Sequence, residues 1–427
     1  MSSPKIRVVR SAPDPLGLYI RAGRVDHKDL QSFITTGSPV FTGVVFEAKR
    51  VQHQKELLTL VLEKGLDAVL DPQTQAMATA GGYAAGMDSL PWSNKRQQTL
   101  GDLETSFQQR QMADQIAQFV VQHSFTQVLS PTHLILGPDD PWLSIDVSTV
   151  IALRSALEKN GAKHVQLHYS LAVSYEAFRT AEKRAAILDQ IRRTPIDGLW
   201  LNVDGCGSDS SPTAITRYGD AAVNFQELGV PIIADHAGGF MGLALLAFGT
   251  VGGLAHGVTL GERFHSAGWR KKSESKPFSP TTRVYIPAID IMLPRMEAEK
   301  FFESGGGKAR TAFGCRDTNC CPRGITDMLQ APARHFLYQR ARQVVSLGQI
   351  PASIRPTAFL EEYLRPASDL ALVAEKLALP DELTQKVKKQ ARRLNELRTT
   401  LGPYARMRRD GSFARYPIIR VARDGRG

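Results

Sequence analysis

Residues 198–236 read GLWLNVDGCGSDSSPTAITRYGDAAVNFQELGVPIIADH. An apolar run over 198–204 ends in Asp204 and a glycine-rich turn, a helical stretch follows over 214–228, and a second apolar run over 231–236 ends in Asp235 and His236. Short apolar runs alternating with amphipathic helices build a parallel sheet. The rhythm extends in both directions. Strands are expected at 43–48, 67–71, 127–136 and 164–173 before this unit, and at 252–257 and 308–315 after it. Helical stretches at 52–64, 103–122, 147–159 and 181–193 fall between them. Eight strands of this kind predict an α/β fold, a (β/α)8 TIM barrel, whose usual size is ~250 residues. Residues 18–21 read as an extra strand on the barrel floor. No G-x-G-x-x-G follows the first strand, which disfavours a doubly wound dinucleotide-binding sheet.

The expected division is a barrel over 1–345, including a metal-binding loop at 315–335, and a helical, basic extension over 346–427. Residues 264–291 interrupt the rhythm with a basic insertion before the chain returns to the sheet. In the extension, Leu383, Val387, Leu394, Leu397 and Leu401 recur at helical spacing.

The chain has 427 residues, 42% hydrophobic and 22% charged, which excludes wholesale disorder. The richest apolar stretch, 238–260, is broken by glycines and by His256, and the first ten residues are polar and basic. No membrane and a cytoplasmic location are therefore expected. The net charge is +11, and residues 371–427 carry 14 Lys and Arg against 6 Asp and Glu. A basic tail on a near-neutral body suits a polyanion. Nucleic acid, tRNA or DNA, is the expected partner, with Arg270, Lys271, Lys272, Lys388, Lys389, Arg392 and Arg393 as candidate contacts. A solvated helix face is the plainer explanation of the same charges. A homodimer or a multi-protein complex fits either.

In a barrel of this kind catalytic groups sit at the carboxyl ends of strands. Those ends offer Asp71, Asp139, Asp140, Asp204, Asp235, His236 and His256, with Glu47 and Lys49. An aspartate there also commonly caps the next helix. Gly252-Gly-Leu-Ala-His-Gly257 is a glycine-flanked strand whose backbone could line a slot for a flat ring, with Gly252, Gly253, Leu254 and His256 as candidate substrate contacts. Cys315-x4-Cys320-Cys321-x13-His335 supplies three thiols and one imidazole, the donor count of a tetrahedral structural zinc (Zn2+) site.

A barrel followed by such a site resembles the tRNA-guanine transglycosylase superfamily. The family's G-G-L-A-V-G strand is similar to Gly252–Gly257, with His256 in place of Val. Its L-T-D-S-G-G-F-Q motif resembles Leu70-Asp-Pro-Gln-Thr-Gln75, without the Ser-Gly-Gly, and its D-x-x-L-P context resembles Asp290-Ile-Met-Leu-Pro294. Its zinc pattern, C-x-C-x2-C with a more distant His, is spaced differently. The resemblance implies exchange of a guanine base for a 7-deazaguanine derivative. Asp290 would then be the nucleophile, Asp71 the acid–base carboxylate and Asp204 a base-reading residue. Two other classes compete. One is a TIM-barrel lyase, aldolase or metal-dependent hydrolase with a metal on Asp204, Asp235, His236 and His256. The other is a non-catalytic nucleic-acid-binding barrel.

Overall fold

The computed structural model describes residues 16–37, 41–270 and 282–408. Its strands are β1 (Gly17–Ala22), β2 (Gly43–Glu47), β3 (Asp67–Asp71), β4 (Gln127–Leu129), β5 (Leu134–Ile135), β6 (Gln166–Val173), β7 (Gly198–Val203), β8 (Ile232–Asp235) and β9 (Gly253–His256). β4 and β5 both pair with β6 and share one position, so the nine segments make eight staves. Every pairing is parallel, and β1 closes the ring against β9, with Gly17 opposite Gly253. The (β/α)8 barrel expected from the sequence is therefore present.

The closing stave differs from the expected one. Residues 308–315 do not form a strand; they fall largely in the helix Gly306–Phe313, where Ala309 and Phe313, four apart, are buried on one face. The segment read as a floor strand is a full stave instead. Val284 and Leu293 belong to a separate antiparallel hairpin, β10 (Arg283–Ile286) and β11 (Ile291–Pro294), and not to the barrel sheet.

Strand alternation sorts the side chains. Tyr19, Val45, Val69, Leu129, Trp200, Ile233 and Ala255 point inward and form a small closed core, with Tyr19 and Trp200 ring centroids 5.1 Å apart. Their neighbours in sequence, such as Ile20, Phe46, Leu70, Leu201 and Leu254, point outward under the helices. Two residues beyond five of these seven inward positions the pattern turns polar: Arg21, Glu47, Asp71, Asn202 and Asp235. This layer caps the core at the carboxyl end.

The C-terminal helices pack on the outer layer. The helix Asp381–Arg408 buries Leu383, Val387, Leu394, Leu397 and Leu401, as their spacing predicts, against the helices Pro212–Asn224 and Arg365–Ala374. Among the described residues no helix is long and apolar enough to cross a membrane.

Candidate active site and metal centre

The polar layer opens into a cavity of about 1340 Å³ at the carboxyl end of the barrel. Arg21 stands at its base between two carboxylates. Its Nη1 donates to Asp71 Oδ2 at 2.7 Å and its Nε to Asp235 Oδ1 at 2.8 Å, and Nη2 pairs with Asp235 Oδ2. Burial would lower the guanidinium pKa, but Asp235 and Asp71 raise it above its ordinary range. Burial likewise pushes the Asp235 carboxyl up, and Arg21 and His236 bring it below the usual range. Asp71 Oδ1 accepts the Gln73 N–H at 2.8 Å, a turn that Pro72 favours by extending Asp71.

His236 follows β8 with a positive φ of 56°. Its Nδ1 lies 3.0 Å from the Gly261 carbonyl, which fixes the proton on Nδ1 and leaves Nε2 as a bare acceptor. Burial, outweighing Asp235, holds this imidazole below its ordinary pKa. Asp26, in the loop after β1, lines the same cavity. Burial, reinforced by Asp29 and opposed by Arg50, raises its carboxyl to about 6. A Cβ on Gly23 would lie 2.4 Å from Asp26 Oδ2, so this carboxyl sits directly against Gly23. Gln73, Gln75 and Asn202 add amides to the wall, and Arg24, Arg283 and Arg295 stand around the cavity. Asp26 and Arg21 went unread in the sequence. The alternation Leu18-Tyr-Ile-Arg21 was the available signal for Arg21.

Glu47 also lines the cavity, paired with Arg50 at 2.5 Å and Lys49 at 3.6 Å, and the other candidates lie elsewhere. Asp290 closes the β10–β11 turn, does not line the cavity, and is sealed against Arg340, with Oδ2 accepting the Phe240 N–H at 2.8 Å and Oδ1 the Tyr285 hydroxyl at 3.0 Å. Asp204 accepts the Ser266 N–H at 2.7 Å and its hydroxyl at 2.6 Å, which pins the loop after β9. Asp140 caps the helix Pro141–Lys159 through the Trp142 N–H. The glycine slot does not form at the mouth. Gly252 and Gly253 lie toward the amino end of the last stave, and Gly253 packs against Ile233 and Gly17. Leu254 and His256 turn outward, one residue off the inward Ala255, and His256 is buried against Phe336. Only Gly257 of that motif lines the cavity.

Of the candidate basic contacts, Lys388, Lys389 and Arg392 are exposed on the last helix. Arg393 instead turns inward and donates to the carbonyls of Ser208 and Ser210. Arg270 ends the helix Ala267–Arg270, and Lys271 and Lys272 lie outside the described residues.

The cysteine cluster assembles as its spacing predicts. The donor atoms of Cys315, Cys320, Cys321 and His335 lie within 4.8 Å of one another. His335 Nδ1 is 3.3 Å from both Cys320 Sγ and Cys321 Sγ, and those sulfurs are 3.6 Å apart. Tetrahedral zinc, with bonds of about 2.3 Å to sulfur and 2.0 Å to nitrogen, would set such edges at roughly 3.5–3.8 Å. His335 Nε2 faces the Tyr285 carbonyl at 3.0 Å, which places its proton there and frees Nδ1 for a metal. These four residues could hold a metal ion.

No family model matches the chain, and no curated protein matches it. Among solved structures the chain is similar to the endo-1,4-beta-xylanase XylE of Penicillium canescens, at 10% identity and a TM-score of 0.38 over 56% of this chain and 81% of that one. It is also similar to KGPDC from Streptococcus mutans, at 15% identity and a TM-score of 0.33 over 61% and 94%. A thiamine phosphate pyrophosphorylase from Pyrococcus furiosus matches at 13% identity and a TM-score of 0.29 over 58% and 88%. Likeness this distant carries no statement about activity.

Proposed function

We propose that the protein is a barrel enzyme that exchanges a guanine base in tRNA or DNA for a 7-deazaguanine derivative through a carboxylate nucleophile, with a structural zinc on Cys315, Cys320, Cys321 and His335. The observation that carries the reading is the convergence of Asp71, Asp26 and His236 on one cavity walled by amides and arginines. Two carboxyls in contrasting environments and a neutral imidazole are the parts that acid–base glycosyl transfer needs. Asp71, held by Arg21 and the Gln73 N–H, takes the nucleophile's role in place of Asp290. Its oxygen bonds to the ribose C1′ as the C1′–N bond breaks, and Asp26 gives its proton to the departing guanine. The incoming base then attacks C1′ and releases Asp71, and its proton passes to His236 Nε2. The amides of Gln73 and Asn202, the latter with a buried Oδ1 that has no partner among the described residues, suit the hydrogen-bonding edges of a base, and the arginines suit phosphates.

Two variants of the competing barrel-enzyme class, the metal-dependent one and the Schiff-base aldolase, are less well supplied. Asp204 and His256 face away from the group around His236, so the four-residue catalytic metal set does not form. Among the residues lining the cavity there is no lysine for an aldolase-type Schiff base. The test is incorporation of labelled guanine into tRNA or duplex DNA by the full-length, zinc-loaded protein. Incorporation that disappears in Asp71→Asn while nucleic-acid binding persists is expected. Binding without incorporation by the parent, with either nucleic acid, would leave a non-catalytic barrel.

A further inference from the structure

The His236 ring makes its hydrogen bond on the Nδ1 side, to the carbonyl of Gly261, while Nε2 stands 4.0 Å from Asp235 Oδ1, beyond hydrogen-bond reach. The next residue, Glu262, leaves the mouth altogether. Its side chain is buried, and Oε1 accepts the Gly239 N–H at 3.1 Å and the Arg340 Nη2–H at 3.0 Å. The fit is close: a Cβ on Gly238 would lie 2.1 Å from Glu262 Oε1, which accounts for a glycine there, while Gly239 beside it has a positive φ of 58°. Arg340 is itself immobilised. It is 1% exposed and stacks over the rings of Tyr285 and Phe336, at 4.9 and 5.6 Å. It sits on the helix Pro332–Gly348, five residues beyond His335. A chain of contacts therefore runs from the metal-site helix through Arg340 and Glu262 to the carbonyl that orients His236.

We propose that Glu262 and Arg340 are positioning residues that select the Nδ1–H tautomer of His236 by fixing the Gly261 carbonyl. This rests on the reading of His236 Nε2 as the proton acceptor of the mouth. In water, imidazole side chains favour the Nε2–H form. Without a fixed acceptor on the Nδ1 side, His236 would present a proton to the cavity where the reaction needs a lone pair. The acceptor oxygen of Glu262 does the anchoring, so glutamine at this position keeps it and alanine removes it.

The measurement is the tautomer of His236, read from its 15N shifts in histidine-labelled, zinc-loaded full-length protein and assigned with His236→Gln. The parent should show Nδ1–H. Glu262→Ala should move the Nδ1–H to Nε2–H ratio about 2- to 10-fold toward Nε2–H, the worth of one ordinary hydrogen bond. Glu262→Gln should stay near the parent. Should Glu262→Ala fail to fold, the shorter Glu262→Asp, which cannot span both partners, should shift the ratio in the same direction. A parent already in the Nε2–H form, an unmoved ratio in folded Glu262→Ala or Glu262→Asp, or a shift in Glu262→Gln as large as in Glu262→Ala would each overturn the proposal. Turnover is not the readout. A failed base-exchange assay would leave this result standing, and an unmoved tautomer in an active enzyme would overturn the positioning role alone.

Discussion

The molecule contains two groups of the same composition, one arginine between two carboxylates. At the mouth, Arg21 holds Asp71 and Asp235; behind the hairpin, Arg340 holds Glu262 and Asp290. The first opens to the cavity, with Arg21 13% and Asp71 21% exposed, and the second is closed, at 1% for Arg340 and 3% for Asp290. Pairing also separates their carboxyls, for both Asp235 and Asp290 are buried, but Arg21 grips Asp235 through two nitrogens while Arg340 stands 3.8 Å from Asp290. Asp235 is lowered by Arg21, whereas burial raises Asp290 despite Arg340 and Arg393. Charge pattern alone does not mark a reactive site. Access for a substrate does, and the closed group is spent on holding helix, hairpin and loop together.

The most disruptive way to test this contrast is to strip the metal. Zinc held by such ligands is worth about 10–16 kcal/mol in isolated finger peptides. Chelation should therefore release the helix Pro332–Gly348 and open the closed group while the strands of the barrel stay paired. Hydrogen exchange should show protection lost across 315–348 and kept in β1 and β8. Simultaneous loss in both would show that the two groups are one unit.

Removing one arginine at a time comes next. Arg340→Ala leaves two buried carboxylates unpaired and should cost about 3–5 kcal/mol in urea unfolding. Arg21→Ala should cost less, because it leaves one buried carboxylate, Asp235, unpaired, while water reaches Asp71 through the cavity. Equal losses would erase the distinction between open and closed.

At the mouth itself, Asp26→Asn should slow base exchange about 10²- to 10⁴-fold, the usual contribution of a general acid. The same substitution has a signature in stability. A carboxyl raised to about 6 in the folded protein binds more protons there than in the unfolded chain. Its contribution to stability is thus fullest at acid pH and is lost as pH rises from the ordinary aspartate range through about 6. Asp26→Asn should remove that decline from the melting temperature measured across pH 4 to 7, a range set by those two limits. A decline of the same size in both proteins would assign it to another group.

The smallest effect is expected on the last helix. Lys388→Ala and Lys389→Ala should each change stability by less than about 0.5 kcal/mol, as exposed substitutions do. Arg393→Ala should cost more, since two backbone carbonyls lose their donor. If the exposed lysines contact nucleic acid, their loss should flatten the salt dependence of binding by about 0.9 per phosphate contact on duplex DNA.

Much of this was legible in the sequence, and the failures share a cause. Seven of the eight staves and the last helix follow from periodicity, and the metal cluster from donor spacing, because both are local. Asp71, Asp235 and His236 were found because strand ends converge in any such barrel. His256 was misplaced because one residue in a strand separates inside from outside, and only Ala255 beside it settles which is which. Asp290 was nominated by a short match, but its surroundings come from Phe240, Tyr285 and Arg340, distant in sequence. Asp26 carries no motif; its carboxyl is raised by burial, which only the folded loop supplies, and by Asp29.

The seam between β1 and β9 has a consequence for how the protein is made. Arg21 and Asp235 are 214 residues apart in the chain. At a synthesis rate of about 5–20 residues per second, Arg21 emerges from the ribosome roughly 10–40 s before the aspartate it needs. Until β8 and β9 arrive, the first strand has no partner on one edge and its arginine has only Asp71. The nascent chain thus carries an open sheet edge for most of its synthesis, a stretch in which a chaperone would find its client. The closing event that hides this edge also completes the polar layer, so no product truncated before β9 could carry an assembled polar layer.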